Sequence, residues 1–531
     1  MIDGARLTQT NDESPLIVIA SNRGPYQFSQ DEDGTFSVKR GSGGLVTALG
    51  ALAQRHEVLW VASAMTDDDR AWAEAHDGTL EEVDSIYVKL VRHDPDEYHK
   101  FYNIIANPLL WFIQHQLWDI PRTPSITAET WDAWLNGYVA INQRFAHAIA
   151  QAVQDSKRPI IVLPQDYHLY LTPRMLREEL GARVQIQPFV HIPWPGPDAW
   201  RILPAVMRND ILNSLLASDR VGFQTQKDAF NFVQCCRFYL SDAHSKGARD
   251  AIYIDGRKVM ALDYPISVDV EKLENMLREA ETRLLKNQIL NFIGDRQLIL
   301  RVDRIEPSKN ILRGLEAYRA LLETYPEHHG EVVLLMLLVP SRMEVDEYQN
   351  YLRDIMAEAG MINAEYSDEF WEPVRIVVGE NYARAIAAMQ IYDVLLVNPI
   401  ADGMNLVAKE GVLVNQRNGS LLLSERAGVF YELGDLALAV SPFDIYGTMQ
   451  AMHEGLAMPV EERKARAEIL RERVRKAGVR RWFNAQVEDA LQALNNQANS
   501  NSTPETPEAD RSDVSVTSSG VTSDSTPTPS A

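Results

Sequence analysis

Cysteine is almost absent from this chain of 531 residues, which contains only Cys235 and Cys236. Adjacent cysteines are poor partners for a structural disulfide, and so low a count is typical of proteins from a reducing compartment. Long hydrophobic runs are lacking too: no stretch reaches the roughly 20 apolar residues of a membrane-spanning helix, and the first residues are polar. We therefore expect a cytoplasmic protein that has no membrane partner.

Positive charge is also scarce, since 52 Lys and Arg residues stand against 74 Asp and Glu residues, for a formal net charge of −22. A field of this sign repels nucleic acid and anionic lipid, so we expect no nucleic-acid partner. It also makes any local group of cations informative, because a phosphorylated ligand needs Arg and Lys around it. The sequence contains no Walker A lysine loop, G-x-S-x-G elbow, HExxH motif or Cys/His metal array.

Short apolar runs that end in polar or glycine-rich residues recur along the chain. Helix-length amphipathic stretches such as Ile311–Leu322 and Ala383–Met389 lie between most of them. Strands that alternate with helices predict an α/β architecture with parallel sheets. The predicted strands are Leu16–Ala20, Val58–Ala62, Ile160–Leu163, Gln187–His191, Leu298–Val302, Val332–Val339, Val374–Val378, Val394–Asn398 and Ser420–Leu423.

One α/β series ends near Tyr264-Pro265-Ile266 and a second follows it. Each has the length of one doubly wound domain, and two such domains facing each other would bind ligands at the carboxyl ends of their strands. Val460–Leu494 is predicted to be largely helical, whereas Ser, Thr and Pro dominate the residues after it and predict disorder. The predicted divisions are a flexible N-terminus (1–14), a first Rossmann-like domain (15–265), a second Rossmann-like domain (266–475), a C-terminal helix packing back on the first domain (476–494) and a disordered tail (495–531).

Two features near the N-terminus are suited to anions. Arg23 comes directly after the first predicted strand, in a loop punctuated by Gly and Pro. Gly43 and Gly44 precede a helical pattern, and the first amide groups of a helix bind anions well when glycine lets a ligand approach. Taken alone, Arg23 could as well be a solvated surface arginine, and an ordinary turn is the simpler explanation of the two glycines.

A second group of cations follows the strand Leu298–Val302. Arg304 and Lys309 lie on either side of a proline turn, so they can converge on one pyrophosphate. The alternative is a solvated loop in which they pair with Glu306. We favour the phosphate interpretation, because cations are rare in this chain.

Two carboxylates lie on either side of a predicted helix start after the strand Val394–Asn398. Asp402 precedes the turn and Glu410 follows it, so they can accept hydrogen bonds from hydroxyl groups on different parts of one ligand. Leu406 and Val407 would supply the first amides of the helix. Helix capping alone is the simpler alternative.

Further polar and aromatic residues lie where predicted strands end or in an aromatic helix. Asp166 follows Ile160–Leu163, and Arg342 follows Val332–Val339. His191 ends an apolar strand, where a histidine is more often a satisfied core residue than a catalytic group. Tyr102 and Trp111 belong to a stretch whose aromatic rings could stack on sugars or fill the core.

These segments in combination resemble the trehalose-6-phosphate synthases of the retaining glycosyltransferase family 20, which have the GT-B fold. The resemblance runs from about Leu16 to Leu494 and implies two Rossmann-like doubly wound domains facing across a cleft, an acceptor domain followed by a nucleotide-sugar domain. The motifs that carry it are SNRGPY, GGLVTAL, FYNIIANPLLW, QDYHL, FVHIPWP, VGFQT, YPISVD, VDRIEPSKN, VPSRMEVDEY, DGMNLVAKE and LLLSERAG.

The resemblance implies transfer of glucose from a nucleotide sugar, commonly UDP-glucose, to glucose 6-phosphate, giving trehalose 6-phosphate. Arg304 and Lys309 would neutralise the departing diphosphate, and Asp402 and His191 would bind the transferred glucose. The implied mechanism has no carboxylate nucleophile, metal or cofactor, since the nucleotide sugar is a substrate. The implied donor-binding residues are Gly43, Gly44, Arg304, Lys309, Leu406, Val407 and Glu410. The implied acceptor-binding residues are Arg23, Tyr102, Trp111, Asp166 and Arg342.

The chain departs from the family pattern mostly around the acceptor and the pocket walls. The departures are Ile305-Glu306-Pro307 for Leu-Asp-Tyr, Asn310 for Gly, Ala401 for Arg, Gln224 for His, the loss of a second tryptophan near Trp60, and Ile104, Ile105 and Ala106 on the acceptor helix.

Several alternatives therefore stay open. The acceptor could be that of a glucosylglycerol-phosphate synthase or of a cyclitol-coupling pseudo-glycosyltransferase. The nucleotide of the donor could be ADP or GDP instead of UDP. An inactive sugar-phosphate-sensing homologue is a further class, although the donor-site charges are all present. A phosphatase is excluded because no Asp-x-Asp-x-Thr domain follows Leu494. The oligomeric state is undetermined, and a homo-oligomer is compatible with the sequence.

Overall fold

The computed structural model describes residues 14–41, 56–76 and 79–502. The predicted N-terminal segment up to residue 13, the two glycines Gly43 and Gly44, and residues 503–531 of the predicted tail lie outside this part of the chain. Within it, no helix is long and apolar enough to cross a membrane.

The first domain is built around a six-stranded sheet. Its strands, with those of a hairpin and a smaller sheet, are β1 (Leu16–Ser21), β2 (Tyr26–Gln30), β3 (Phe36–Arg40), β4 (Val58–Ser63), β5 (Glu81–Val83), β6 (Ile86–Val91), β7 (Ile160–Pro164), β8 (Val184–Ile186), β9 (Phe189–Val190), β10 (Arg220–Phe223), β11 (Ala251–Ile254) and β12 (Arg257–Asp263). In the main sheet the order is β5-β6-β4-β1-β7-β8. The central strand β1 is buried along its whole length and pairs in parallel with β4 and β7. The order of the strands reverses between β1 and β7, so the residues that follow these two strands lie at a ligand-binding switch point.

The predicted strand Gln187–His191 is wrong as a single element. Pro188 has no amide hydrogen to donate to a neighbouring strand, and the chain is interrupted there. The residues before it form β8 in the main sheet, and those after it form β9 in a four-stranded sheet of order β11-β12-β10-β9. His191 therefore comes directly after the end of a short strand that leads from one sheet to the other.

The second domain contains one parallel sheet. Its strands are β13 (Gln297–Arg304), β14 (Val332–Val339), β15 (Val374–Val378), β16 (Val394–Val397), β17 (Ser420–Ser424) and β18 (Leu438–Val440). Their spatial order is β15-β14-β13-β16-β17-β18, which is the order of a Rossmann sheet. Here the switch point lies between β13 and β16. Together the two domains give the GT-B architecture.

Helices cover both faces of the sheets, which explains why the strands are nearly continuous apolar runs. The main helical segments are Asp67–Ala75, Pro95–His99, Lys100–Leu110, Trp111–His115, Ala128–Ala133, Trp134–Val139, Ala140–Val153, Thr172–Leu180, Pro197–Ile202, Ala205–Leu216, Gln226–Tyr239, Val270–Met276, Ala280–Ile293, Ile311–Thr324, Asp346–Tyr366, Tyr382–Met389, Leu406–Val414, Phe430–Leu433, Ile445–Ala457, Val460–Ala477 and Val479–Ser502.

The C-terminal helical region is interrupted at Gly478, so the predicted helix Val460–Leu494 is two helices. The second, Val479–Ser502, contacts the first domain, where the ring of Trp482 packs edge-on against Phe189 at 5.2 Å between ring centroids. This helix also continues past residue 495, the predicted start of the disordered tail. Once a helix is nucleated, each added residue costs little, so polar residues extend it beyond its apolar contacts.

Candidate functional site

The switch point of the second sheet brings together a lysine and an aspartate. Lys309 lies in the helical turn Pro307–Lys309 after β13, and Asp402 follows β16. Nζ of Lys309 donates to Oδ2 of Asp402 at 2.5 Å, and both side chains are largely buried. Burial by itself raises the pKa of Asp402, but the Lys309 ammonium outweighs this and holds the pKa below its ordinary value.

A network of amides and one buried arginine fixes the two loops relative to each other. Asn310 has a left-handed backbone (φ 60°), and its Nδ2 donates to the carbonyl oxygens of Asn398 at 3.0 Å and Pro442 at 2.7 Å. Arg301, fully buried in β13, donates to Oδ1 of Asn398 at 2.8 Å and to the carbonyl oxygen of Lys309. Lys309 is therefore held against the loop that carries Asp402.

The helix Leu406–Val414 begins next to this pair. Its N-cap is Asn405, whose Oδ1 accepts from the amide of Ala408 at 3.1 Å and whose Nδ2 donates to Asp402 at 3.1 Å. The first amides of a helix have no intrahelical acceptor, and here they belong to Leu406 and Val407. The N-terminal end of the helix thus adds partial positive charge beside Lys309.

Glu410 lies further along this helix and has a separate environment. One carboxylate oxygen accepts from the hydroxyl of Tyr382 at 2.9 Å. Burial raises the pKa of Glu410 to about 7. The carboxyl group can therefore both donate and accept hydrogen bonds near neutral pH.

The switch point of the first sheet presents Asp166 directly after β7. Its backbone is left-handed (φ 70°), and Oδ1 accepts from the amide of His191 at 3.0 Å. Burial raises its pKa to about 7, although the amide hydrogen bonds and the nearby Arg342 act in the opposite direction. Asp166 and the chain after β9 therefore form one edge of the cleft.

The side chain of His191 is fully engaged by neighbouring amides. Its Nε2 lies 3.0 Å from Oε1 of Gln165, and its Nδ1 lies 3.5 Å from Nε2 of Gln224. Burial lowers the pKa of His191 to about 4, so the ring is neutral at physiological pH. A Cβ placed on Gly403 would lie 1.9 Å from the carbonyl oxygen of His191, which means that the Asp402 loop presses on the main chain of His191.

Arg342 links the two domains. Its guanidinium lies 4.0 Å from the centre of the Trp111 ring and donates to the hydroxyl of Tyr167 at 3.1 Å. Within the second domain it donates to Tyr348 at 2.7 Å and to Glu306 at 2.9 Å. Trp111 and Tyr167 belong to the first domain, so the buried guanidinium of Arg342 connects the second domain to the first.

Tyr102 and Arg23 lie further along the same edge. Tyr102 stacks against Tyr98 and His168, with ring centroids 5.7 and 5.8 Å apart. The Tyr98 hydroxyl bonds to Asn22, the neighbour of Arg23, at 3.1 Å. Arg23 is exposed, and within the described ranges no carboxylate lies at ion-pair distance from it. Its guanidinium is therefore available to an anionic ligand.

Arg304 ends β13 and is 47 % exposed, with its guanidinium 5.8 Å from the Trp111 ring. The structure thus brings Arg304 and Arg342 to the ring of Trp111 and pairs Lys309 with Asp402. Glu410 contacts Tyr382 instead, and Gly43 and Gly44 lie outside the described residues. Among those residues, no group of His, Cys, Asp and Glu side chains is arranged to hold a metal ion.

Sequence reasoning misses several residues of this site. Tyr348 lies in the helix Asp346–Tyr366 and has the pattern of an ordinary core residue, so nothing in the sequence indicates its contact with Arg342. Gln165 has no signal either. Glu306 is predicted only as a counter-ion of Arg304 and Lys309 in a solvated loop, although the sequence shows that it lies between these two cations.

Comparison with known proteins gives consistent results. Residues 15–492 match the model of glycosyltransferase family 20. A trehalose-6-phosphate synthase of Mycobacterium avium is 34% identical over 486 residues, covering 90% of this chain and 95% of the relative. The UDP-forming α,α-trehalose-phosphate synthase of Schizosaccharomyces pombe is 31% identical over 468 residues, covering 86% and 87%. An Escherichia coli structure bound with UDP-2-fluoro glucose superposes with a TM-score of 0.78 at 27% identity, covering 90% of this chain and 99% of that one.

Proposed function

The chain belongs to glycosyltransferase family 20, and from this we propose that it transfers glucose from UDP-glucose to glucose 6-phosphate, releasing UDP and trehalose 6-phosphate. The names of the relatives in Mycobacterium avium and Schizosaccharomyces pombe support the product, and the second also supports the UDP donor. The sugar nucleotide in the Escherichia coli structure supports the same donor class. The partners are then small molecules, and the low cysteine count fits a cytoplasmic location.

One observation carries the proposal: cations of the second domain gather where it meets Trp111 of the first domain. Arg304 and Lys309 lie at the switch point of the second sheet, and Arg342 lies on Trp111 with Arg23 further along the first domain. An acidic chain that concentrates its cations in this way is suited to two phosphorylated substrates. We assign residues 15–265 to the acceptor and 266–475 to the donor.

For the donor, we propose that Arg304, Lys309 and the first amides of the helix at Leu406 stabilise the diphosphate as it leaves. Negative charge builds on the leaving oxygen in the transition state, and donors that are already positioned stabilise it most. Lys309 is positioned in advance by Asp402. Asp402 then accepts hydrogen bonds from the glucosyl hydroxyls, and Glu410 accepts them from the ribose hydroxyls.

For the acceptor, we propose that Arg342 and Arg23 bind the 6-phosphate while Asp166 and Tyr102 contact the sugar. Arg342 stays cationic, since neighbouring hydroxyls and Glu306 hold its pKa above the ordinary value despite burial. His191 is neutral and its ring nitrogens are engaged, so it acts by position rather than as an acid. The proton of the attacking hydroxyl passes to the leaving phosphate oxygen, which requires neither a nucleophilic carboxylate nor a metal.

A matrix of donors and acceptors tests the proposal. UDP-, ADP- and GDP-glucose are each incubated with glucose 6-phosphate and with glycerol 3-phosphate, in the presence and absence of EDTA, and products are identified by NMR. We expect UDP-glucose and glucose 6-phosphate to give the α,α-1,1-linked disaccharide phosphate, with EDTA having no effect. Turnover of glycerol 3-phosphate alone, or no transfer from any donor, would overturn it.

A further inference from the structure

Glu306 contacts two cations of the site through its side chain and the residue that carries the third through its main chain. Its Oε2 lies 3.2 Å from the guanidinium of Arg304, and its Oε1 accepts from Arg342 at 2.9 Å. Its main-chain oxygen accepts from the amide of Lys309 at 2.9 Å, which closes the turn that presents the lysine. The carboxylate thus gives one oxygen to each of two arginines, and one of them, Arg342, also contacts the first domain.

The side chain of Glu306 has no contact with solvent. Burial raises the pKa of a carboxyl group, but Arg304 and Arg342 outweigh this effect and hold the pKa of Glu306 below its ordinary value. Oε2 of this carboxylate accepts no hydrogen bond, so its link to Arg304 is one of charge. Arg304 and Arg342 share the single carboxylate of Glu306, whereas Lys309 pairs with Asp402.

The two arginines differ in how they are held. Arg342 is nearly buried and has three further contacts, to Tyr167, Tyr348 and Trp111. Arg304 is half exposed, and Glu306 is its only ion-pair partner in the described ranges. An arginine side chain held at one point by a rigid carboxylate loses less freedom when a phosphate binds it. Glu306 therefore transmits the fixed position of Arg342 to Arg304.

We propose that Glu306 is a positioning residue that couples the donor and acceptor phosphate sites by holding Arg304 and Arg342 in one arrangement. This rests on the proposed function, in which these arginines bind the leaving diphosphate and the 6-phosphate. Binding of a phosphorylated ligand to either arginine limits the remaining motion of the half-exposed Arg304 against Glu306, so the other ligand binds more tightly. The coupling is reciprocal, as linkage requires.

The test compares Glu306→Gln, which keeps the shape and loses the charge, with Glu306→Asp, which keeps the charge on a shorter side chain. Glu365→Gln, on an exposed ion pair with Arg319, is the matched control. Calorimetry measures the Kd of UDP and of glucose 6-phosphate, each alone and with the other at saturation. Inorganic phosphate replaces glucose 6-phosphate as a second probe, and thermal melting checks that each variant is folded.

In the wild type and in Glu365→Gln we expect UDP to tighten glucose 6-phosphate binding by about fivefold or more. In Glu306→Gln the coupling factor falls to about one and kcat falls, whereas Glu306→Asp recovers part of both. Unchanged coupling in folded Glu306→Gln would overturn the inference. An equal loss of coupling and kcat in Glu306→Gln and Glu306→Asp, accompanied by lower melting temperatures that account for it, would also overturn the inference. If glucose 6-phosphate neither binds nor reacts in the wild type, the proposed function fails, while UDP with inorganic phosphate still tests Glu306.

Discussion

Lys309 shows how a single contact fixes the charge of a residue in the proposed donor site. Its ammonium group lies 2.5 Å from Asp402 in a largely buried position, so each group keeps the other ionised. When a diphosphate binds, the ammonium needs no new desolvation or reorientation. A preorganised cation of this kind acts mainly on the transition state.

Replacing Lys309 by alanine therefore lowers kcat far more than it raises KM for the donor. We expect kcat to fall by about 10² to 10³, as for loss of one preorganised donor to a developing negative charge. Steady-state kinetics measure this, with Lys464→Ala as the control because Lys464 is an exposed lysine that pairs with Glu468 at 4.0 Å. Equal kcat in wild type and Lys309→Ala would contradict the leaving-group role.

Asp166 makes stability depend on pH. Its pKa is about 7 in the folded protein and about 3.9 in an unfolded chain. A raised pKa means that the native state binds more protons, so the stability that the protonated form contributes is present below about pH 4 and is lost as pH rises through 7. Asp166→Asn keeps the oxygen that accepts from the His191 amide but cannot ionise.

We therefore expect the melting temperature of Asp166→Asn, minus that of wild type, to be higher at pH 8 than at pH 5. Glu410 also has a raised pKa, so the difference between the two proteins is the quantity to compare. Scanning calorimetry at both pH values measures it. The same difference at pH 5 and pH 8 would show that Asp166 ionises in the folded protein as it does in water.

At the scale of elements, the loops after the strands carry the site. Asp166, Asn310, Arg342 and Asn405 all have positive φ, a region that non-glycine residues enter at a cost of about 1–3 kcal/mol each. Each is held there by the hydrogen bonds or packing around it. No propensity argument identifies such residues from sequence, because the compensation comes from other loops.

Gly403 shows the same dependence on another element. Any Cβ at this position would overlap the carbonyl group of His191, so we expect Gly403→Ala to separate the Asp402 loop from the first domain. A displacement of about 1 Å in a reacting group costs on the order of 10² in rate, and activity should fall at least that far. Assays of kcat with a melting curve measure it.

Gly360→Ala is the control for this change. Gly360 lies within the helix Asp346–Tyr366, and no other group lies within 4 Å of a Cβ there, so activity is expected to be unchanged. Stability should stay equal or rise by up to ~1 kcal/mol. Full activity in Gly403→Ala would mean that the contact between the Asp402 loop and His191 is not needed for catalysis.

Much of this arrangement can be predicted from the sequence. The buried strands such as β1 and β14 are continuous apolar runs, and the residues proposed to bind phosphate follow such strands, so each cation can be assigned to a strand end by its position in the chain. The short strands β8 and β9 cannot be separated in this way, because which sheet each joins depends on long-range pairing. The roles of Glu306 and Tyr348 escape prediction for the same reason.

At the scale of the whole molecule, two sheets bring their switch points to face each other. The residues after β1 and β7 form one edge, and those after β13 and β16 form the other. Three contacts hold these edges together: Arg342 lies on Trp111, Gly403 on His191 and Trp482 on Phe189. The relative position of the domains thus decides whether the two proposed phosphate sites lie close enough for transfer.

The most direct test is a crystal structure with UDP and glucose 6-phosphate bound together. We expect the diphosphate to contact Arg304, Lys309 and the amides at the start of the helix Leu406–Val414. The 6-phosphate should contact Arg342 and Arg23, with the C1 hydroxyl of the acceptor beside the terminal phosphate of UDP. A diphosphate bound on the first domain, or a 6-phosphate bound away from Arg342, would contradict the account.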